Sequence, residues 1–188
     1  MTDGGGHPCP EHLRQDLVRM LPEKPALLVL DFDGVLTDDH VYVREDGREM
    51  VACTRGDGMG TTLLVRAGFP VLVISTEKNL VVAARCAKLK VECIQGMADK
   101  TAEFQRILAE RFYLPSDVVF VGNDVNDLGC VRLAGCGLAV LDAHPLLKKA
   151  ARGVLSHPGG RGAVREVAEM ILFKLGHEIV YNASDRTR

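Results

Sequence analysis

The feature that most limits how this chain can fold is a succession of short, wholly apolar runs separated by segments of helical character. Ala26-Leu27-Leu28-Val29-Leu30 comes first, and Val71 to Ile74, Val91 to Ile94, Val118 to Val121 and Leu138 to Val140 follow. These runs have no polar face, so they ask to be covered on both sides, as strands of a parallel sheet are. Between them the pattern predicts helices near Thr61 to Ala67, Leu80 to Leu89, Lys100 to Phe112, Leu128 to Leu133 and Ala163 to Leu175. Alternating units of this kind imply an α/β fold: a doubly wound, Rossmann-like parallel sheet with helices on both faces. One segment breaks the alternation. Val41 to Val43 and Met50 to Cys53 flank Asp46-Gly47, a turn dipeptide, and predict a β-hairpin flap. Residues 1–25 read as a partly disordered leader with one loose helix at Leu13 to Leu21, residues 26–181 as a single globular domain, and residues 182–188 as a polar tail.

Sheets of this type bind ligands beyond the carboxyl ends of their strands, and chemistry-bearing residues stand there. The first strand runs into Asp31-Phe32-Asp33-Gly34, where the two-residue period of a strand puts Asp31 and Asp33 on one side. Two adjacent carboxylates repel, and a divalent cation such as Mg2+ is the simplest remedy. The bland alternative is an Asp-rich turn that caps a helix. Ser75 follows the second strand and can offer a hydroxyl, Lys100 opens a helix after the third and can offer an ammonium, and Gly122-Asn123-Asp124-Val125-Asn126-Asp127 follows the fourth with further oxygen donors. Each has an ordinary reading as a surface side chain or helix start.

Together and in this order, Asp-x-Asp, Ser, Lys and Gly-Asn-Asp-x-Asn-Asp resemble the four motifs of the haloacid dehalogenase-like superfamily over roughly Leu27 to Leu175. The resemblance implies a Mg2+-dependent phosphatase. Asp31 would be the nucleophile that forms an aspartyl phosphate, Asp33 the acid and then the base, and Ser75 and Lys100 the groups that hold the phosphoryl oxygens. Asp31, Asp33 through its carbonyl, and either Asn123 or Asp124 would hold the metal, with Asp127 behind them orienting a ligand or Lys100. The chain departs from the pattern at Asn123, where the family usually carries an aspartate, and the sequence does not choose between Asn123 and Asp124.

Forty-two positions separate Asp33 from Ser75, and twenty-five separate Ser75 from Lys100. That leaves room for a flap and none for a cap domain. Among capless members, the chain resembles the sugar-acid phosphatases that act on 3-deoxy-manno-octulosonate 8-phosphate or on nonulosonate (sialic acid-type) 9-phosphates. That group implies a small phosphorylated sugar acid as substrate and a homotetramer in which a neighbouring subunit closes the site. Gly34, Asp57, Thr76, Glu77, Lys78 and Arg161 are then expected to touch substrate, Arg161 from the neighbour. Thr76-Glu77-Lys78 replaces the Gly-Arg usual in octulosonate enzymes and leans toward a nonulosonate. The alternatives are the octulosonate 8-phosphate itself and a non-catalytic tetramerisation module of the kind associated with acylneuraminate cytidylyltransferases.

Composition narrows the classes further. With 23 basic and 25 acidic residues spread evenly, no field gathers a nucleic acid. The apolar runs are far short of the roughly 20 residues that span a bilayer, so no membrane partner is expected. Six cysteines without a C-x-x-C pair argue against zinc and read as reduced thiols, which with the polar start suggests a cytoplasmic protein.

Overall fold

The computed structural model describes residues 9–177; the Gly4-Gly5-Gly6 part of the expected leader and the expected polar tail lie outside them. The five apolar runs form β1 (Leu27–Leu30), β4 (Val71–Ser75), β5 (Glu92–Gln95), β6 (Val118–Gly122) and β7 (Cys136–Ala139). A two-residue strand, β8 (Gly153–Val154), completes a parallel sheet in the order β5-β4-β1-β6-β7-β8. β1 is central and fully buried along its length. Its neighbours are in register on both sides, with Leu30 opposite Val73 and Val121. The chain builds outward from β1 in one direction and then in the other, so the switch point falls beside β1, directly under Asp31.

The hairpin is also present, as β2 (Thr37–Val43) paired antiparallel with β3 (Glu49–Cys53) in a separate two-stranded sheet. No cap domain accompanies it among the described residues. Flanking the main sheet are α1 (Gln15–Met20), α2 (Arg55–Arg66), α3 (Leu80–Leu89), α4 (Lys100–Glu110), α5 (Leu128–Leu133), α6 (Pro145–Ala150) and α7 (Ala163–Lys174). No helix among the described residues is long and apolar enough to cross a membrane.

Three departures from the sequence reading have physical causes. The leader helix is not loose, because Leu13, Leu17, Val18 and Leu21 are buried in the core and α1 packs on α7. Helix α2 starts six residues before the expected Thr61. Gly56, Gly58 and Gly60 resemble a loop by propensity, yet Thr54 caps the helix by accepting from the Asp57 N–H. Gly60 is also where α2 meets α7 so closely that a Cβ would lie 2.7 Å from the Arg165 Cα. Helix α6 was not expected as an element; His144 caps it and Pro145 occupies its first turn.

Asp57 explains how α2 and α7 lock together. It is fully buried. Its Oδ2 accepts from the Thr54 hydroxyl (2.6 Å) and the Gly162 N–H (3.1 Å), and its Oδ1 accepts from the Arg165 N–H (3.0 Å). The carboxylate therefore supplies the N-terminal cap that Gly162 cannot give α7. This corrects the expectation that Asp57 touches substrate, since both of its oxygens are spent inside the fold. Asp57→Ala is expected to lower unfolding stability by about 2–4 kcal/mol, the cost of orphaning buried donors at a charged cap. The same variant should leave KM unaltered; urea denaturation and steady-state kinetics check both halves.

Candidate active site

The carboxyl ends of β1, β4 and β6 and the first turn of α4 meet at one point. Lys100 heads α4 because Asp99 caps that helix, accepting from the Thr101 and Ala102 N–H groups at 3.0 Å each. Its side chain then runs inward and is buried. The ammonium donates to Asp31 Oδ1 at 2.7 Å and to Asp127 Oδ1 at 2.8 Å. Asp127 is fully buried, and its Oδ2 accepts from the Asn123 N–H at 3.0 Å, so it orients Lys100 and the motif loop together. Gly122 makes that possible: a Cβ there would lie 2.5 Å from Asp127 Oδ2.

Asp31 Oδ1 also accepts from the Phe32 N–H at 2.7 Å, while Oδ2 has no hydrogen bond among the described residues. Asp31, Asp33, Ser75, Asn123 and Asp124 line a cavity of about 270 Å3 together with Thr76 and Glu77. Ser75 Oγ accepts from the Glu77 N–H at 3.0 Å, which leaves its proton free to donate into the cavity. Asp39, at positive φ on the hairpin's first strand, lines the cavity too. The sequence reading missed it, because only the hairpin's geometry turns Asp39 toward Asp33.

Two of the expected substrate contacts find no place at this cavity, and a third, Arg161, is expected from a neighbouring copy. The Gly34 N–H is engaged by Thr37 Oγ1 at 3.0 Å, so it is not offered to a ligand. Gly34, at φ +72°, instead admits the Asn123 side chain, whose Nδ2 would be 1.9 Å from a Cβ. Lys78 is exposed and packs over Gly96 rather than lining the cavity. Arg161 is largely exposed, with its guanidinium 3.7 Å from Asp38 at the base of the hairpin. The adjoining Gly159 and Gly160 are pressed against Gly34 and Thr37, where a Cβ would come within 1.9 Å and 2.4 Å of backbone. In one chain Arg161 does not line the cavity.

The charge balance is unfavourable. Asp31 and Asp127 share one ammonium, and burial, then Asp127, push the Asp31 carboxyl up despite Lys100. Burial lowers Lys100, but the two carboxylates more than offset it and its pKa is raised overall. Asp33 is half-buried; burial first, then Glu77 and Asp39, push it up to about 6. Among the described residues, no three His, Cys, Asp or Glu side chains form a metal cluster. Where the family pattern usually carries a further aspartate, the cavity is lined by the amide of Asn123. Oxygen donors from Asp31, Asp33, Asn123 and Asp124 on one wall still suit a hard cation that keeps part of its water shell.

Comparison with known proteins adds an independent line. A family model described as haloacid dehalogenase-like hydrolase matches residues 75–166. The 3-deoxy-D-manno-octulosonate 8-phosphate phosphatase of Salmonella typhi is 38% identical over 155 residues, 82% of either chain. The Escherichia coli K12 enzyme of the same name is 37% identical over the same length. Among solved structures, a haloacid dehalogenase-family hydrolase of Streptomyces avermitilis superposes with a TM-score of 0.78 at 46% identity, covering 81% of this chain and 87% of its own. The octulosonate 8-phosphate phosphatase of Moraxella catarrhalis, in complex with a magnesium ion, a phosphate ion and a KDO molecule, superposes at 0.80 with 28% identity, covering 85% and 91%.

The raised Asp33 pKa has a stability consequence. The folded chain holds this proton to higher pH than the unfolded chain, whose carboxyl titrates near its ordinary 3.8. Its contribution is therefore fully present below about 4 and is lost as pH rises through about 6. In chelator-treated protein, the urea midpoint is expected to fall across that window, and the fall should shrink in Asp33→Asn.

Proposed function

This chain belongs to the haloacid dehalogenase-like hydrolase family and is a phosphatase, and from that membership we propose that it is a Mg2+-dependent enzyme that cleaves a sugar-acid phosphate, 3-deoxy-manno-octulosonate 8-phosphate first among them. The observation that carries the reading is the meeting of Asp31, Asp33, Ser75 and Asn123 around one cavity, with Lys100 and Asp127 buried behind Asp31. The relatives named above supply the substrate. A nonulosonate 9-phosphate stays the second reading, on Thr76 and Glu77, which line the cavity where octulosonate enzymes tend to carry Gly-Arg.

Asp31 through its carboxylate and Asp33 through its main-chain carbonyl, with either the amide oxygen of Asn123 or Asp124, would hold Mg2+, which leaves the Asp33 carboxyl free to move a proton. Bound there, the ion neutralises the surplus carboxylate charge and draws electron density from the phosphoryl oxygens. Everything else falls to side chains. Asp31 Oδ2 attacks phosphorus as the bond to the leaving oxygen breaks, and the Asp33 carboxyl gives that oxygen its proton. Asp33, now ionised, takes a proton from water as the water oxygen attacks phosphorus; the Asp31–phosphorus bond breaks and phosphate leaves. A group that titrates near 6 can serve in both forms close to neutrality. Ser75 and Lys100 hold the equatorial oxygens, and Lys100 keeps Asp31 aimed.

With no cap over the cavity, water exclusion falls to a second copy of the chain. Tyr42 and Met50, cross-strand partners on the hairpin, are each more than half exposed and offer an apolar face for such a contact. A homotetramer in which Arg161 of one copy meets the substrate carboxylate at another is the arrangement we favour.

Asp31→Asn is expected to stay folded and to lose at least about 10³-fold in turnover of the octulosonate ester with Mg2+. Undiminished turnover would remove the nucleophile from the scheme. The native chain should sediment as four copies; a monomer at micromolar concentration would rule out closure by a neighbour.

A further inference from the structure

A second cavity, of about 220 Å3, lies against the first beneath the hairpin. Val41 and Val51 of the hairpin face Val81 and Val82 of α3 across it, and Glu49 and Asn79 stand at its edge. Asp33, Asp39 and Glu77 line both cavities, so the two are joined at Asp33. The Asn79 side chain is committed at both ends. Its Oδ1 caps α3 by accepting from the Val81 N–H at 3.1 Å, and its Nδ2 donates to Glu49 Oε2 at 2.5 Å. Glu49 is thereby fixed to the helix, and its Oε1 has no hydrogen bond among the described residues.

We propose that this cavity is the leaving-group subsite, that it takes the uncharged, hydroxyl-bearing part of the ester, and that Glu49, held by Asn79, is a specificity-determining acceptor for those hydroxyls. The inference rests on the role given above to Asp33. The leaving oxygen must lie within hydrogen-bond reach of that carboxyl when its bond to phosphorus breaks. Phosphorus itself lies on the Asp31 side. What the leaving oxygen carries must therefore pass Asp33 and enter the second cavity.

The lining then selects the chemistry. Asp33, Asp39, Glu49 and Glu77 are carboxylates; no Lys or Arg is among the lining residues, and His40 is the one group there that can become a cation. An anion placed there would meet like charge, whereas hydroxyls donate to carboxylates and their carbon chain packs on the valines. The substrate's carboxylate must then lie outside this cavity.

The test compares three esters with Mg2+: phenyl phosphate, glucitol 6-phosphate and 3-deoxy-manno-octulosonate 8-phosphate, on the full chain and on Glu49→Ala and Glu49→Gln. In Glu49→Ala, kcat/KM of the two polyol esters relative to phenyl phosphate is expected to fall about tenfold, through KM rather than kcat. Glu49→Gln keeps an acceptor oxygen and should regain most of the loss. Any influence of the Glu49 charge on Asp33 would appear in kcat, and most in the two alkyl esters, whose leaving oxygens need the proton; the loss expected here is in KM. An unchanged ratio in Glu49→Ala, or a loss that Glu49→Gln does not repair, overturns the subsite. If the octulosonate ester is poorly cleaved yet the glucitol ratio falls, the subsite stands and the substrate reading above fails; a well-cleaved octulosonate ester whose ratio stays fixed does the reverse.

Discussion

The structure turns on one buried ammonium between two buried carboxylates. Lys100 reaches Asp31 and Asp127 at 2.7 and 2.8 Å with almost no solvent on any of the three. Removing charges from water is costly, and a lone ion pair often fails to recover that cost. Here the count does not even balance: two carboxylates face one cation, and Asp33 adds a third acid a short way off. A fold that holds such a group together leaves negative charge at the cavity, which is the condition for attracting a dication and, through it, a phosphate ester. The same arrangement aims Asp31, because one oxygen is held by Lys100 and the Phe32 N–H and the other is left for chemistry.

Holding that triad in place accounts for much of what surrounds it. Gly122 lets Asp127 fold back over the strand end, and Gly34 lets Asn123 press against the first motif. Gly159 and Gly160 seat their loop on the backbone of Gly34 and Thr37, with the Gly160 N–H donating to the Val35 carbonyl at 2.8 Å. That loop leads into α7, whose first turn is capped by Asp57 of α2. The segment after the first strand is thus braced by the C-terminal helix, and α1 packs on the same helix with the His12 ring 3.1 Å from Glu169. Residues that a motif search assigns to substrate belong in part to this bracing.

Most of the sheet was legible because burial on both faces leaves an unmistakable apolar run, and the four motif positions were legible because each follows such a run. Helix α3 was expected at the bounds it has. What could not be read has a common cause, which is that the deciding partner lies far away in sequence. Helix α2 is helical through three glycines because α7 and α3 press on Gly60 and Gly58, contacts more than a hundred and nearly thirty residues distant. Asp57 looks like a loop acid until Gly162 and Arg165 are seen to need its oxygens. Asp39 and Glu49 look like solvated hairpin residues until the hairpin is laid against α3. The one departure from the family's pattern, Asn123, still lines the cavity, with its side chain against Gly34.

A sugar-acid phosphate carries anions at both ends, and the two cavities treat them differently. On the proposed reading, the Ser75 hydroxyl and whatever cation the carboxylates hold would take the phosphoryl end, with Lys100 behind Asp31, and the middle of the molecule would meet carboxylates and valines. Among the described residues no Lys or Arg lines either cavity, since Lys78 lies over Gly96 and Arg161 lies beside Asp38. A site so anionic gains discrimination by refusing charge where the substrate has none. It also makes the second anion the concern of whatever covers the open side. On that reading an assembly has a physical reason: one chain brings the proposed catalytic groups together, and a cation for the substrate's acid group would come from another.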